Sequence, residues 1–155
     1  MKIRHATPDD LPALRRMGAD FHAASCYADT VPANLDSFEK TIVNLFSVGN
    51  GVVLVAEDAE GVLCGMAGGV VQPHWFNHDH LAGQEMFWWV DESTRGSGAG
   101  FKLMDALEQW AIAKGCKTFC MASTANLTPE KLARIYKRRG YVAQDIYYAK
   151  VINHA

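Results

Sequence analysis

The stretch Arg95-Gly96-Ser97-Gly98-Ala99-Gly100 places three alternate glycines between two segments of opposite character. Ahead of it, Glu85 to Val90 is short, aromatic and β-branched, a pattern that predicts a central strand. Behind it, Leu103, Met104, Leu107, Trp110 and Ala111 recur at three and four, predicting a helix from Gly98 to Lys114 with Gly115 as its stop. A glycine-rich turn from strand to helix puts bare backbone N–H groups at a helix N-terminus, where the macrodipole favours an anion. Glycines let the chain turn sharply and approach a phosphate with no Cβ in the way, and Arg95 adds positive charge at the rim.

The other elements are read the same way. Lys2 to His5 reads as a short strand, and Thr7-Pro8-Asp9-Asp10 starts a helix with Leu11, Leu14 and Met17 on one face. A second helix is predicted from Asp36 to Phe46, ended by Gly49-Asn50-Gly51. Val52 to Glu57 and Val62 to Val71 read as a hairpin, and Gly65, Gly68 and Gly69 in its second arm invite a bulge. Gln72 to Gly83 reads as a polar, aromatic loop. After the glycine turn and its helix come a strand from Lys117 to Ala122, a helix from Thr128-Pro129-Glu130 to about Arg138, and one bent or two short strands over Tyr141 to Ile152. This order predicts an α/β protein with a mixed sheet and helices packed on it.

With 155 residues, 49% apolar and 21% charged, the chain has the size and make-up of one globular domain, and neither repeats nor linkers divide it. The net charge of −2 lacks the basic excess of a nucleic-acid binder, so no nucleic-acid partner is expected. No apolar run approaches the roughly 20 residues of a membrane span, and Met1-Lys2-Ile3-Arg4-His5 does not open a signal peptide, so a cytoplasmic protein with no membrane partner is expected. Cys26, Cys64, Cys116 and Cys120 form no CxxC pair and are expected to pack as buried thiols.

Three phosphate-binding patterns compete for the loop. A Walker loop needs Gly-Lys-Ser/Thr where this chain has Gly100-Phe101-Lys102. The dinucleotide fingerprint wants Gly or Ala at Phe101 and an acidic residue after the next strand, where Ala122-Ser123-Thr124 stand. The third pattern, Arg/Gln-x-x-Gly-x-Gly/Ala after a strand, is matched by Arg95, Gly98 and Gly100. In this the chain resembles the GNAT superfamily of acetyl-CoA-dependent N-acetyltransferases. A second anchor, Ala133 to Tyr141, is similar to that family's helix ending in Tyr-x-x-x-Gly-Phe/Tyr, here Tyr136, Gly140 and Tyr141. The resemblance implies a GNAT domain over residues 1–155, with a sheet of six to seven strands flanked by about four helices. It implies acetyl-CoA as co-substrate, with Trp89 and Val90 lending backbone groups to the pantetheine arm and Arg95, Gly96, Ser97, Gly98, Ala99 and Gly100 holding the pyrophosphate. It further implies Asn126 as a cofactor contact and Tyr136 beside the thioester sulfur. Between Asn126 and Tyr136 the chain carries about three residues more than the usual family spacing, and the carboxylate often found late in the fifth strand is replaced by Phe119, Cys120 and Met121.

Acetyl transfer needs a neutral amine, and an alkylamine with a pKa near 10.4 must first lose a proton. Glu85, expected at the start of its strand, is the best-placed carboxylate for that work, the alternative being an exposed strand-end charge. A phenol can return a proton to the leaving sulfur, which suits Tyr136; the alternative is a tyrosine packed under the sheet. His74, His78, His80 and Asp79 could coordinate zinc, but a polar loop explains the same letters; no metal is expected, and His74 and Trp75 are assigned to an acceptor pocket. Phe21, His22, Ser25, Cys26 and Tyr27 form its second wall. The expected activity is direct transfer to a primary amine of a small molecule or peptide in a ternary complex. A non-catalytic acyl-CoA sensor is the alternative. An exposed edge on a strand from Tyr147 to Ile152 would allow a homodimer.

Overall fold

An apolar run with polar residues only at its ends must be covered on both faces, and Val52 to Ala56 is such a run. The computed structural model, which describes residues 1–152, builds the fold around it. In chain order the elements are β1 (Lys2–His5), α1 (Leu11–Ala24), α2 (Leu35–Ser47), β2 (Gly51–Glu57), β3 (Leu63–His74), β4 (Asn77–Val90), α3 (Ala99–Ala113), β5 (Thr118–Cys120) and α4 (Pro129–Arg138). The strands form one five-stranded sheet in the order β1-β2-β3-β4-β5, antiparallel except for β5, which runs parallel to β4. The chain divides into two compact units: Met1–Gly18 with Asn34–Ala122, which holds the sheet, and Ala19–Ala33 with the residues from Ser123 onward, which holds α4.

In the first unit, Val52, Leu54 and Ala56 of β2 and Ala67 of β3 pack against Ala99, Leu103 and Leu107 of α3. Strand alternation turns Val53 and Val55 the other way, and α2, with Ile42 and Leu45 buried, packs on β2 and β3. Gly68 has no Cβ because Phe87 occupies its place; the Phe87 ring meets Phe38 of α2 edge-on with centroids 5.4 Å apart. The start of α1 is tied to the sheet edge by charge. Arg4 of β1 donates to both oxygens of Asp10, at 2.7 and 2.9 Å, and from Nε to Glu57 at 3.0 Å. The Thr7 amide donates to Asp10 as well, at 2.7 Å, completing a capping box.

The structure corrects several expectations. Gln72 to Gly83 is no loop: β3 and β4 continue through it as paired arms, Gln72 opposite Ala82 and Pro73 opposite Leu81, with Trp75 and Phe76 at the turn. From Asn77 to Asp79 every residue is exposed, so no apolar alternation announced a strand there. Tyr141 to Ile152 forms neither strand nor helix, so the described residues contain five strands rather than six or seven. Its apolar side chains, among them Val142, Ile146, Tyr147 and Tyr148, are exposed, so no second layer covers a pleated face there. Of the four free cysteines only Cys64 is buried, its Sγ 3.5 Å from the Ala56 carbonyl; Cys26 and Cys116 are half-buried and Cys120 is exposed. Cys116 precedes β5, and Cys120 ends it. Among the described residues no helix is long and apolar enough to cross a membrane.

Candidate active site

Two features of the first unit carry chemistry. After Val90 the chain makes a short 3₁₀ turn over Glu92–Thr94, and α3 then begins at Ala99 with Gly98 as its cap. Gly96 and Gly98 have φ of 92° and 86°, in the left-handed region that L side chains rarely adopt, and the space where a Cβ would stand is open at both. The amides of Gly98 and Gly100 donate to no group among the described residues. A Cβ on Gly100 would lie 3.2 Å from the Trp88 ring, whose buried Nε1 also has no partner there. Open space, uncommitted donors and the dipole of a 15-residue helix suit a diphosphate. The hydroxyl of the exposed Ser97 accepts from the Ala99 amide at 3.4 Å. Arg95 is exposed beside this turn. Its guanidinium lies 4.7 Å over the Trp89 ring, Nε donates to the Val90 carbonyl at 3.2 Å, and Nη1 meets Glu92 at 3.2 Å.

The second feature is Glu85. Parallel pairing of β4 with β5 covers only Ala82 to Gln84 against Thr118 to Cys120 and stops immediately before it. On the other side, Gly69 faces Glu85 while Gly68 faces Phe87, so Met86 is an extra residue in a bulge. Glu85 is therefore no exposed strand-end charge: it lies well inside β4 and is only 8% exposed. Its Oε2 accepts from the Ala122 amide at 3.1 Å, just beyond the end of β5. Burial pushes the carboxyl up from 4.5 to about 7, against the opposing pull of that hydrogen bond. A carboxyl half-ionised near neutral pH can both take and return a proton.

In the second unit, Tyr136 lies half-buried on α4 beside Leu132 and Ile135, its ring centroid 5.5 Å from that of Tyr141. Phe21 and Tyr27 meet edge-on at 6.2 Å, and His22 Nε2 lies 2.6 Å from the Val31 carbonyl. Asn126 joins this corner: Oδ1 accepts from the Cys26 amide and Nδ2 donates to the Ala24 carbonyl, both at 2.9 Å. Residues 21–31 and Asn126, widely separated in sequence, are thus brought together. His74 and Trp75 belong instead to the β3–β4 hairpin tip of the first unit, where Trp75 is 76% exposed and the His74 ring stacks on it at 5.8 Å. His80 lies 3.0 Å from the Thr118 hydroxyl, and among the described residues no group of three His, Cys, Asp or Glu side chains could hold a metal ion. Sequence reasoning did not find the Ala122 amide under Glu85 or the partners of Asn126. Backbone partners leave no trace in residue type; the paired glycines 68 and 69 were the one signal of the bulge.

The model of the Acetyltransferase (GNAT) family matches residues 15–141, which include the glycine loop, Glu85, Asn126 and Tyr136. No curated protein matches the chain. Solved structures share its fold. A transcriptional regulator from Bacillus halodurans C-125 is 20% identical with a TM-score of 0.77, over 97% of this chain and 99% of that one. Glucosamine-6-phosphate N-acetyltransferase from Arabidopsis thaliana is 17% identical with a TM-score of 0.76, over 98% of both chains. AAC(6')-Iy, in complex with the bisubstrate analog CoA-S-monomethyl-acetylneamine, is 17% identical with a TM-score of 0.73, over 97% of this chain and 98% of that one. With the family's pattern running from α1 to the residue after Gly140, the chain belongs to the acetyltransferase (GNAT) family, acyltransferases that take their acetyl group from acetyl-CoA.

Proposed function

We propose that the chain acts as a single N-acetyltransferase domain that moves acetyl from acetyl-CoA to a primary amine of a small molecule or peptide, by direct attack in a ternary complex. The observation that carries this reading is Glu85, a buried carboxyl held near neutral pKa where β4 and β5 stop pairing. Acetyl-CoA, when bound, supplies the acetyl thioester. The uncommitted amides of Gly98 and Gly100 hold its diphosphate, and backbone groups of Trp89 and Val90 align the pantetheine arm. Glu85 accepts the proton of the ammonium, directly or through water, so that the amine nitrogen bonds to the acetyl carbon. As the C–S bond breaks, the Tyr136 hydroxyl gives its proton to the sulfur and regains one, through water, from the attacking nitrogen as that nitrogen becomes the amide, while Glu85 releases its proton to solvent. Phe21, His22 and Tyr27 supply acceptor contacts.

The named activity of the Arabidopsis relative, on an amino sugar phosphate, and the bisubstrate analog bound by AAC(6')-Iy support an amine acceptor attacked directly. The test is thioester consumption with acetyl-CoA and a panel comprising glucosamine 6-phosphate, an aminoglycoside, a polyamine and a peptide with a free N-terminus. Transfer to at least one is expected. Tight acetyl-CoA binding with no transfer to any amine would make the protein a sensor instead.

A further inference from the structure

In the second unit Asn126 makes contacts that the transfer steps above do not use. The Asn126 amide is spent at both ends on one corner of backbone: it accepts from Cys26 N–H and donates to Ala24 C=O, each at 2.9 Å. Those two groups flank Ser25, where α1 ends and a 3₁₀ turn over Cys26–Asp29 begins. The Ser25 hydroxyl donates to the His22 carbonyl at 3.1 Å, and the His22 ring reaches forward to the Val31 carbonyl at 2.6 Å. Asn126 and His22 therefore hold the same short segment from its two ends. These hydrogen bonds work against the backbone entropy that each ordered residue of the turn loses.

We propose that Asn126 is a positioning residue for the amine acceptor and not a cofactor contact: with His22 it clamps residues 25–31 so that Tyr27 and its neighbours present one fixed wall. The inference rests on the acetyl-transfer reading above. An amide whose donor and acceptor are both engaged has only its remaining hydrogen and lone pair for a ligand, and turning it toward a cofactor breaks both backbone bonds. A clamp acts through geometry, so its loss loosens acceptor binding and leaves the grip on the diphosphate, made by Gly98 and Gly100, as it was.

The test compares the unaltered protein with Asn126→Ala and Asn126→Asp. The Asp variant keeps an acceptor for Cys26 N–H but loses the donor to Ala24. Steady-state rates are measured on the panel amine that the unaltered enzyme turns over fastest, acetyl-CoA affinity by calorimetry, and amide hydrogen exchange across residues 25–31. The clamp predicts that Asn126→Ala raises the acceptor KM about tenfold, changes kcat by less than about threefold and leaves the acetyl-CoA Kd within about twofold. Exchange across 25–31 becomes faster, and Asn126→Asp falls between the two. Acetyl-CoA binding weakened tenfold with the acceptor KM unmoved would make Asn126 a cofactor residue and overturn the proposal; unchanged exchange would do the same. If the unaltered enzyme acetylates no amine, the transfer reading fails and the acceptor role with it, while the exchange data still decide whether Asn126 holds the segment.

Discussion

Glu85 couples chemistry to stability through one proton. Its folded pKa, about 7, is above the ordinary 4.5, so the folded state binds that proton more tightly than the unfolded chain. The stabilisation is fully present below pH 4.5 and is lost as pH rises through 7, a swing of about 3 kcal/mol. The ionised form needed to accept a proton is thus the form that weakens the fold. Glu85→Gln is expected to lower turnover at least about tenfold, to remove a rise in rate centred near pH 7, and to raise melting temperature at pH 8. Rate against pH and thermal melts of both proteins check this. Tyr136→Phe is expected to reduce turnover at least about tenfold with acetyl-CoA affinity little changed, because only the hydroxyl is lost; unchanged turnover removes Tyr136 from the catalytic roles. Glu85 was readable as a carboxylate in a strand next to a glycine pair, but its burial follows from a bulge and from the end of β5, and both belong to pairing between strands.

Among elements, the turn from β4 into α3 makes the strongest demand on residue type. Gly98 caps α3 at φ 86°, so Gly98→Ala is expected to cost about 1–2 kcal/mol of stability by backbone strain alone. Because the added methyl points into open space, any loss of acetyl-CoA affinity in calorimetry comes from the strained backbone or from the loop's occupant and not from a side-chain clash within the fold. At the other end of the sheet, the Arg4 guanidinium is the main cause that lowers Asp10 to about 2, with the Thr7 amide assisting. Stability from this pair is present above about pH 4 and lost as pH falls through 2. Asp10→Asn is expected to destabilise by about 2 kcal/mol, measured by denaturant unfolding at pH 7, since it leaves the Arg4 charge half-buried with only Glu57. The glycine turn, α3 and the capping box were legible because each is a local pattern. The extended β3–β4 hairpin was not: its outer arms are rich in His, Asp and Asn and are held by cross-strand bonds that composition does not register. Tyr141 to Ile152 erred in the opposite direction, since β-prone letters with no partner strand make no strand.

For the whole molecule, the order of strands and helices pointed to the right architecture because the glycine turn and the α4 anchor are far apart in sequence and stand in the family's order. The central claim is that bare amides at the start of α3 grip the diphosphate of acetyl-CoA. Calorimetry with acetyl-CoA and with acetyl-pantetheine, which has the same thioester and no diphosphate, tests it most directly. The account predicts saturable heat with acetyl-CoA, affinity weakened at least about hundredfold for acetyl-pantetheine, and a clear loss for acetyl-CoA in Gly98→Ala. Equal affinity for the two ligands, or no heat from acetyl-CoA at millimolar concentration, would contradict it.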